Sequence, residues 1–242
     1  VATLDQISEG RAIFGIGRGA QPRQYQGYGI DMDEGRLRFL EALDLIKHAW
    51  TQEESHFTGQ FYNVENVSVV PKPYQSPNPP IYIAANRFDT FEMVGELRHN
   101  LLVAPLVVSR EGALVGLEAY KGAAREGLIN LSININIPVY VTEDNSKVKH
   151  GYKFTVDNYL STLQQNRSNA ASRAANLDYE TVYADYAAIG TPEQVVAKLK
   201  FFQQIFDTQE FMGRSNIGGM LPNDEVANSM KLFAEKVIPQ FK

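Results

Sequence analysis

Two arginines carry the chemistry most easily read from this sequence. Arg18 stands between Gly17 and Gly19 in FGIGRGA, directly after an apolar run, and Arg36 lies in the opening of a segment with helical spacing. A guanidinium stays charged at any physiological pH and presents a planar fork of donors, so two near one strand end would grip a phosphate from two sides. The same stretch reads G-x-G-x-x-A, the pattern of a dinucleotide-binding finger, which needs a helix to begin at once so that its amides meet the pyrophosphate. QPRQYQGYGIDMD follows instead, and with Pro22, Gly27 and Gly29 in it no helix is expected before about Asp31. The phosphate clamp is therefore the preferred reading. Pairing with Asp31, Asp33 or Glu34 is the competing use of both side chains. A third element can complete the clamp, because the helix after IYIAA begins near Asn86 to Thr90 and its first-turn amides attract anions.

Other chemistries are poorly provided for. With no cysteine there is neither a disulfide nor a thiolate ligand or nucleophile. His48, His56, His99 and His150 are scattered without metal-ligand spacing, so no metal site is expected. A net charge of -5 without a basic cluster argues against nucleic acid as partner. No apolar stretch approaches the roughly 18 residues of a membrane helix, and no signal pattern opens the chain, so a cytoplasmic protein acting on small molecules is expected.

The elements that must position the arginines follow from periodicity. Ala12 to Ile16 reads as a buried strand, and Phe39, Leu40, Leu43, Ile46, Lys47 and Trp50 mark one helical face, with Asp31 and Glu34 spaced as a capping box. His56 to Val70 suggests a hairpin, and the prolines from Pro71 to Pro80 an extended run. IYIAA (Ile81 to Ala85) has the continuous apolar character of a parallel strand, followed by a helix through Leu97 with a second capping box at Asp89 and Glu92. Asn100 to Pro105 is the next strand and Arg110 to Ala124 the next helix. SININIPVYV alternates, placing Ile133, Ile135, Ile137, Val139 and Val141 on one face and Asn134, Asn136 and Tyr140 on the inward one, where residues such as Asn134 either border the substrate side or simply line the barrel. Lys147 to Leu163 reads as a helix, Gln164 to Ala175 as a polar excursion able to serve as a lid, and Thr191, Pro192 and Gln194 as a helix start. Phe211 to Met220 makes a last strand, and Val226, Met230, Phe233, Val237 and Phe241 the buried stripe of a closing helix. Strand and helix recur, as in an α/β parallel architecture.

Five segments in order, LDQISEGRAIFGIGRG, GYGIDMDEGR, FTGQFYNVENVSVVPKPYQSPNPPIYIAAN, GTPEQVVAKL and SMKLFAEKVIPQF, resemble the bacterial luciferase-like flavin-dependent monooxygenases across nearly the whole chain. The resemblance implies a TIM (β/α)8 barrel of the luciferase-like type. It implies an oxidoreductase that binds reduced FMN at the C-terminal ends of its strands and uses O2 to oxidise an aldehyde or other small organic substrate. By the same resemblance Arg18 and Arg36 hold the flavin phosphate, and Gly17 lies near the flavin ring, where luciferases carry a reactive cysteine. Ala85, Asn86, Arg87 and Thr90 complete the phosphate site, Thr90 matching the family's threonine and Arg87 standing in place of its serine.

The family's first three strand and helix units, with its catalytic histidine, are expected ahead of Val1, so no catalytic residue is assigned. Residues 1–242 are read as one luciferase-like barrel domain, the C-terminal part of the barrel, with a hairpin insertion near 56–70. Its strands are counted from Ala12, Ile81, Asn100, Ile133 and Phe211. A separate flavin reductase and, for a full-length protein, a homo-oligomer are the expected partners. Two alternatives stay open: a deazaflavin-dependent oxidoreductase on the same fold, and a non-catalytic flavin-binding or partner subunit.

Overall fold

The structure, a computed structural model, describes residues 1–19, 21–124, 131–165 and 176–241. Its contacts divide the chain into two compact units, Val1–Ala84 and Ala85–Lys242.

In the first unit α1 (Ala2–Ile7) precedes β1 (Phe14–Ile16), which pairs in parallel with β4 (Ile81–Ala85) in the register Phe14↔Ile81, Gly15↔Tyr82 and Ile16↔Ile83. Between them run α2 (Pro22–Gly27), a tight turn at Met32–Glu34, α3 (Gly35–Thr51) and the antiparallel hairpin of β2 (Ser55–Thr58) and β3 (Asn63–Val67). Ile81, Tyr82 and Ile83 are all buried, the burial on both faces that a continuous apolar run requires. Trp50 at the end of α3 sets its ring edgewise on Phe14 of β1, with centroids 5.1 Å apart.

A buried carboxylate holds the proline-rich segment in place. Asp5 has no exposed surface, and its oxygens accept from the backbone N–H of Gln75 at 2.9 Å and from Gln75 Nε2 at 2.8 Å. The same side-chain amide donates to the Ala12 carbonyl at 2.8 Å, so one hydrogen-bonded pair joins α1, the approach to β1 and the Pro71 to Pro80 segment. Burial alone would raise the Asp5 pKa; these donors outweigh it and hold the carboxyl below its ordinary value.

In the second unit α4 (Phe88–Glu96), β5 (Asn100–Val103), α5 (Pro105–Val108) and α6 (Arg110–Ala124) lead to β6 (Ile133–Val141). There follow α7 (Lys153–Gln165), α8 (Tyr179–Asp185), β7 (Ala188–Gly190), α9 (Pro192–Phe206), β8 (Glu210–Arg214) and α10 (Asn223–Leu232). β6 is central: it pairs in parallel with β5 (Leu101↔Ile133), β8 (Asn134↔Glu210 to Pro138↔Arg214) and β7 (Val139↔Ala188). Ile135, Ile137, Val139 and Val141 are buried, as their alternation predicts. On the other face the Asn134 and Asn136 side-chain oxygens are buried and accept from no described residue, and Asn136 Nδ2 lies 3.4 Å from Met212 Sδ. Tyr140 is buried as well, stacked on Tyr152 with centroids 5.3 Å apart and donating to Glu225 at 2.5 Å.

The Thr191 helix start is observed as read. Gln194 N–H donates to Thr191 Oγ1, Thr191 N–H donates to Gln194 Oε1, and Pro192 occupies the first turn. Both predicted carboxylate capping boxes fail. Asp31 instead accepts from Asp33 N–H at 2.9 Å and caps only the short turn, while Glu34 reaches forward to Arg38. α4 begins at Phe88, ahead of Asp89, with Arg87 at its cap position and no side-chain cap bond.

Several other boundaries move. α7 starts at Lys153 rather than Lys147, because residues 147–152 form turns (Gly151 N–H to Lys147 O, 2.8 Å) that bring Tyr152 under Tyr140. β7, only Ala188–Gly190, was absent from the strand count, since three residues show no period. The last strand ends at Arg214. Of the closing stripe Val237 is buried, Val226, Phe233 and Phe241 are half-buried and Met230 is exposed, while Ser229 and Leu232 are buried in addition; the helix widens at Phe233–Val237. The polar excursion lies outside the described residues except for Gln164 and Gln165, which end α7.

Helices α4 and α6 meet through two glycines. A Cβ on Gly95 would stand 2.9 Å from Ala123 Cβ and nearer still to the Tyr120 carbonyl, while one on Gly116 would stand 2.6 Å from the Phe91 ring. Gly95→Ala should thus destabilise the protein by about 1–3 kcal/mol in urea unfolding, although alanine is the better helix former, because its methyl meets backbone that has nowhere to go.

Candidate functional site

The Arg18 turn leaves β1 as Gly17, Arg18 and Gly19. Gly19 has φ +84, a conformation that costs a side-chain-bearing residue but not glycine. Gly17 has no such constraint: a Cβ there would touch only Ala84 Cβ, at an ordinary 3.5 Å, so its bare backbone leaves open space. Contrary to the sequence expectation, a helix does begin soon after the turn, at Pro22. It lasts six residues with proline, which has no N–H, in its first turn, so it is a poor pyrophosphate cradle.

What α2 contributes is Tyr25. Its hydroxyl donates to the Arg18 carbonyl at 2.7 Å. One ring edge would lie 3.5 Å from a Cβ on Gly19, and the other 2.9 Å from a Cβ on Gly35, the residue before Arg36. The backbones at Arg18 and at the start of α3 therefore meet the same phenol. Sequence reasoning missed Tyr25; the available signal was Gly35, a poor helix former placed inside a helix.

Two of the acids that precede Arg36 in sequence, Asp31 and Glu34, are engaged elsewhere. Glu34 pairs with Arg38 Nε at 2.8 Å, and the Arg38 guanidinium also lies 4.3 Å over the Phe61 ring. With Asp31 bonded to Asp33 N–H, neither Arg18 nor Arg36 takes part in an ion pair among the described residues. Both remain half-buried cations able to take an external anion.

The candidates of the second unit differ in state. Ala85 is buried at the end of β4, and Asn86 is half-buried. Arg87 is exposed and pairs with Asp89 at 3.2 Å, so its charge is already partly answered. Thr90 is buried, and its N–H donates to the Arg87 carbonyl at 3.0 Å rather than standing free.

A further carboxylate, Glu41 on α3, fixes the hairpin to the helix that carries Arg36. It accepts from the backbone N–H groups of Gln60, Phe61 and Tyr62 at 2.9, 2.8 and 2.7 Å, and a Cβ on Gly59 would collide with it. Burial pushes its pKa up, but the three amides, joined by the charge of Arg38, prevail and hold it below the ordinary carboxylate value. Among the described residues no group of three or more His, Cys, Asp or Glu side chains is placed to hold a metal ion. No described helix is long and apolar enough to cross a membrane.

Residues 1–209 match the family model described as luciferase-like monooxygenase. The oxygenase component of the flavin-dependent trigonelline monooxygenase of Acinetobacter baylyi is 34% identical over 46% of this chain and 31% of its own length. The alkanal monooxygenase alpha chain of Photorhabdus luminescens is 24% identical over 100% of this chain and 73% of its own. An F420-dependent glucose-6-phosphate dehydrogenase of Kineococcus radiotolerans is 25% identical over 98% of this chain and 71% of its own. Among solved structures, a monooxygenase of Streptomyces bottropensis superposes with a TM-score of 0.79 at 26% identity, covering 100% of this chain and 72% of that one. The oxygenating constituent of 3,6-diketocamphane monooxygenase of Pseudomonas putida, in complex with FMN, gives 0.72 at 16% identity, covering 98% and 73%.

The Glu41 contacts make a pH prediction. A carboxyl whose pKa is depressed in the folded protein contributes stability above its unfolded value and loses it as pH falls through the folded one. Amide protection at Gln60 to Tyr62, followed by hydrogen exchange, should accordingly persist below the ordinary glutamate pKa and collapse at lower pH. Glu41→Ala should remove that protection at every pH.

Proposed function

The chain belongs to the luciferase-like monooxygenase family, with the α/β barrel fold of that group; from that premise we propose that it is a flavin-dependent monooxygenase whose cofactor phosphate is held by Arg18 and Arg36. One observation carries the reading: both guanidiniums lack a carboxylate partner among the described residues, although Asp31, Asp33 and Glu34 lie close by in sequence. An uncompensated pair of half-buried cations is unfavourable alone and is stabilised by a dianion such as a terminal phosphate.

Reduced FMN, when bound, supplies the electrons with which O2 is activated and a small organic substrate oxidised. The chain's own part is to bind and to orient. Arg18 and Arg36 grip the phosphate end, and Gly17, without a side chain, leaves room beside the ring. For the second unit we propose Ala85, Asn86, Arg87 and Thr90 as further cofactor contacts, with Arg87 weakened in that role by its bond to Asp89. A separate flavin reductase as electron source fits the naming of one relative as an oxygenase component.

A second reading is favoured by the F420-dependent relative: a deazaflavin in place of FMN and hydride transfer in place of oxygen chemistry. Titration with FMN, riboflavin and F420 separates the two, and oxygen consumption above the uncatalysed rate separates either from a flavin-binding subunit without activity.

Arg18→Ala should weaken FMN binding by about 1.5–3 kcal/mol, the scale of a lost charged hydrogen bond, and leave riboflavin binding unchanged. Equal affinity of the unaltered protein for FMN and riboflavin would remove the clamp.

A further inference from the structure

We propose that Tyr25 is a positioning residue for the cofactor: its phenol, lodged between Gly19 and Gly35, fixes the backbone from which Arg18 projects against the helix start from which Arg36 projects. This rests on the reading that those two arginines hold the flavin phosphate.

The need for such a fixture follows from the flanking residues. Arg18 sits between two glycines, the more permissive of which holds φ +84, so local sterics do little to set the direction of its side chain. The hydrogen bond from the Tyr25 hydroxyl to the Arg18 carbonyl, 2.7 Å long, is the contact that orients the peptide. Tyr25 is itself anchored, since its carbonyl accepts from Ile30 N–H at 3.0 Å, which closes the loop leading into α3.

Gly35 supplies the second observation. Its φ is about -55, ordinary for a helix, so nothing in its own backbone calls for glycine. Glycine is disfavoured there relative to alanine, yet the residue is buried and a Cβ would stand 2.9 Å from the Tyr25 ring and closer to the hydroxyl. The missing side chain makes the slot that lets the phenol reach Arg18. A tyrosine that merely packed would not need its oxygen directed at the carbonyl of the phosphate-binding residue, nor a bare helix start to admit it.

The test compares FMN and riboflavin affinities of the full chain in Tyr25→Phe, Gly35→Ala and Arg18→Ala, with melting of the unliganded proteins as control. Tyr25→Phe keeps the ring and removes the hydrogen bond. It should lower FMN affinity roughly three- to tenfold, with riboflavin affinity and melting temperature nearly unchanged. Gly35→Ala should reproduce that loss by displacing the phenol, and should add nothing in a Tyr25→Ala background. Loss of FMN preference in Arg18→Ala alone, with Tyr25→Phe and Gly35→Ala like the parent, would overturn the role of Tyr25 and leave the phosphate reading standing. No preference for FMN in the parent protein would overturn both.

Discussion

Two half-buried guanidiniums, Arg18 and Arg36, that take part in no ion pair among the described residues are the feature on which the proposed reading of the first unit depends. Asp31, Asp33 and Glu34 precede Arg36 closely in sequence, and pairing with one of them is the competing use of its charge. Three acids of this stretch have other tasks. Glu34 holds Arg38, Asp31 holds a backbone amide, and Glu41 collects the amides of the hairpin turn. The tight turn, the start of α3 and the hairpin thus use these three carboxylates for bonds of their own, as the proposed phosphate clamp requires.

Close approach of backbone recurs as the device that holds elements in place. Gly35 admits the Tyr25 ring, Gly59 admits the Glu41 carboxylate, and Gly95 and Gly116 let α4 and α6 touch. In each case the glycine marks a neighbour that is distant in sequence. Only Gly19 among the glycines discussed at the site is required by its own backbone angle.

The second unit is organised by β6, whose first half serves β5 and β8 and whose second half serves β7. Ser229 of α10 extends that pattern, its Oγ accepting from Val141 N–H at 2.8 Å, where β7 pairs with the end of the strand. Against this frame Arg87 reads differently from the arginines of the first unit. It is exposed, and Asp89 beside it answers its charge, which is why the phosphate proposal leans on Arg18 and Arg36.

Sequence alone determined whatever depends on short-range rules. The alternation of β6, the apolar run of β4, the hairpin near 56–70, the span of α6 and the Thr191 capping box all rest on neighbours a few positions apart, and the ordered segments identified the family. Tertiary structure decided which polar partner each side chain takes. Asp31 and Asp89 carried the pattern of helix caps and chose other bonds. Tyr25 and Glu41 carried no local signal because their partners lie seven or more positions away, and Gly35 marked only that something approaches the start of α3, not what. A carboxylate or a hydroxyl has several donors and acceptors within reach of its own segment, and only folding settles which of them stays dry and close enough to win.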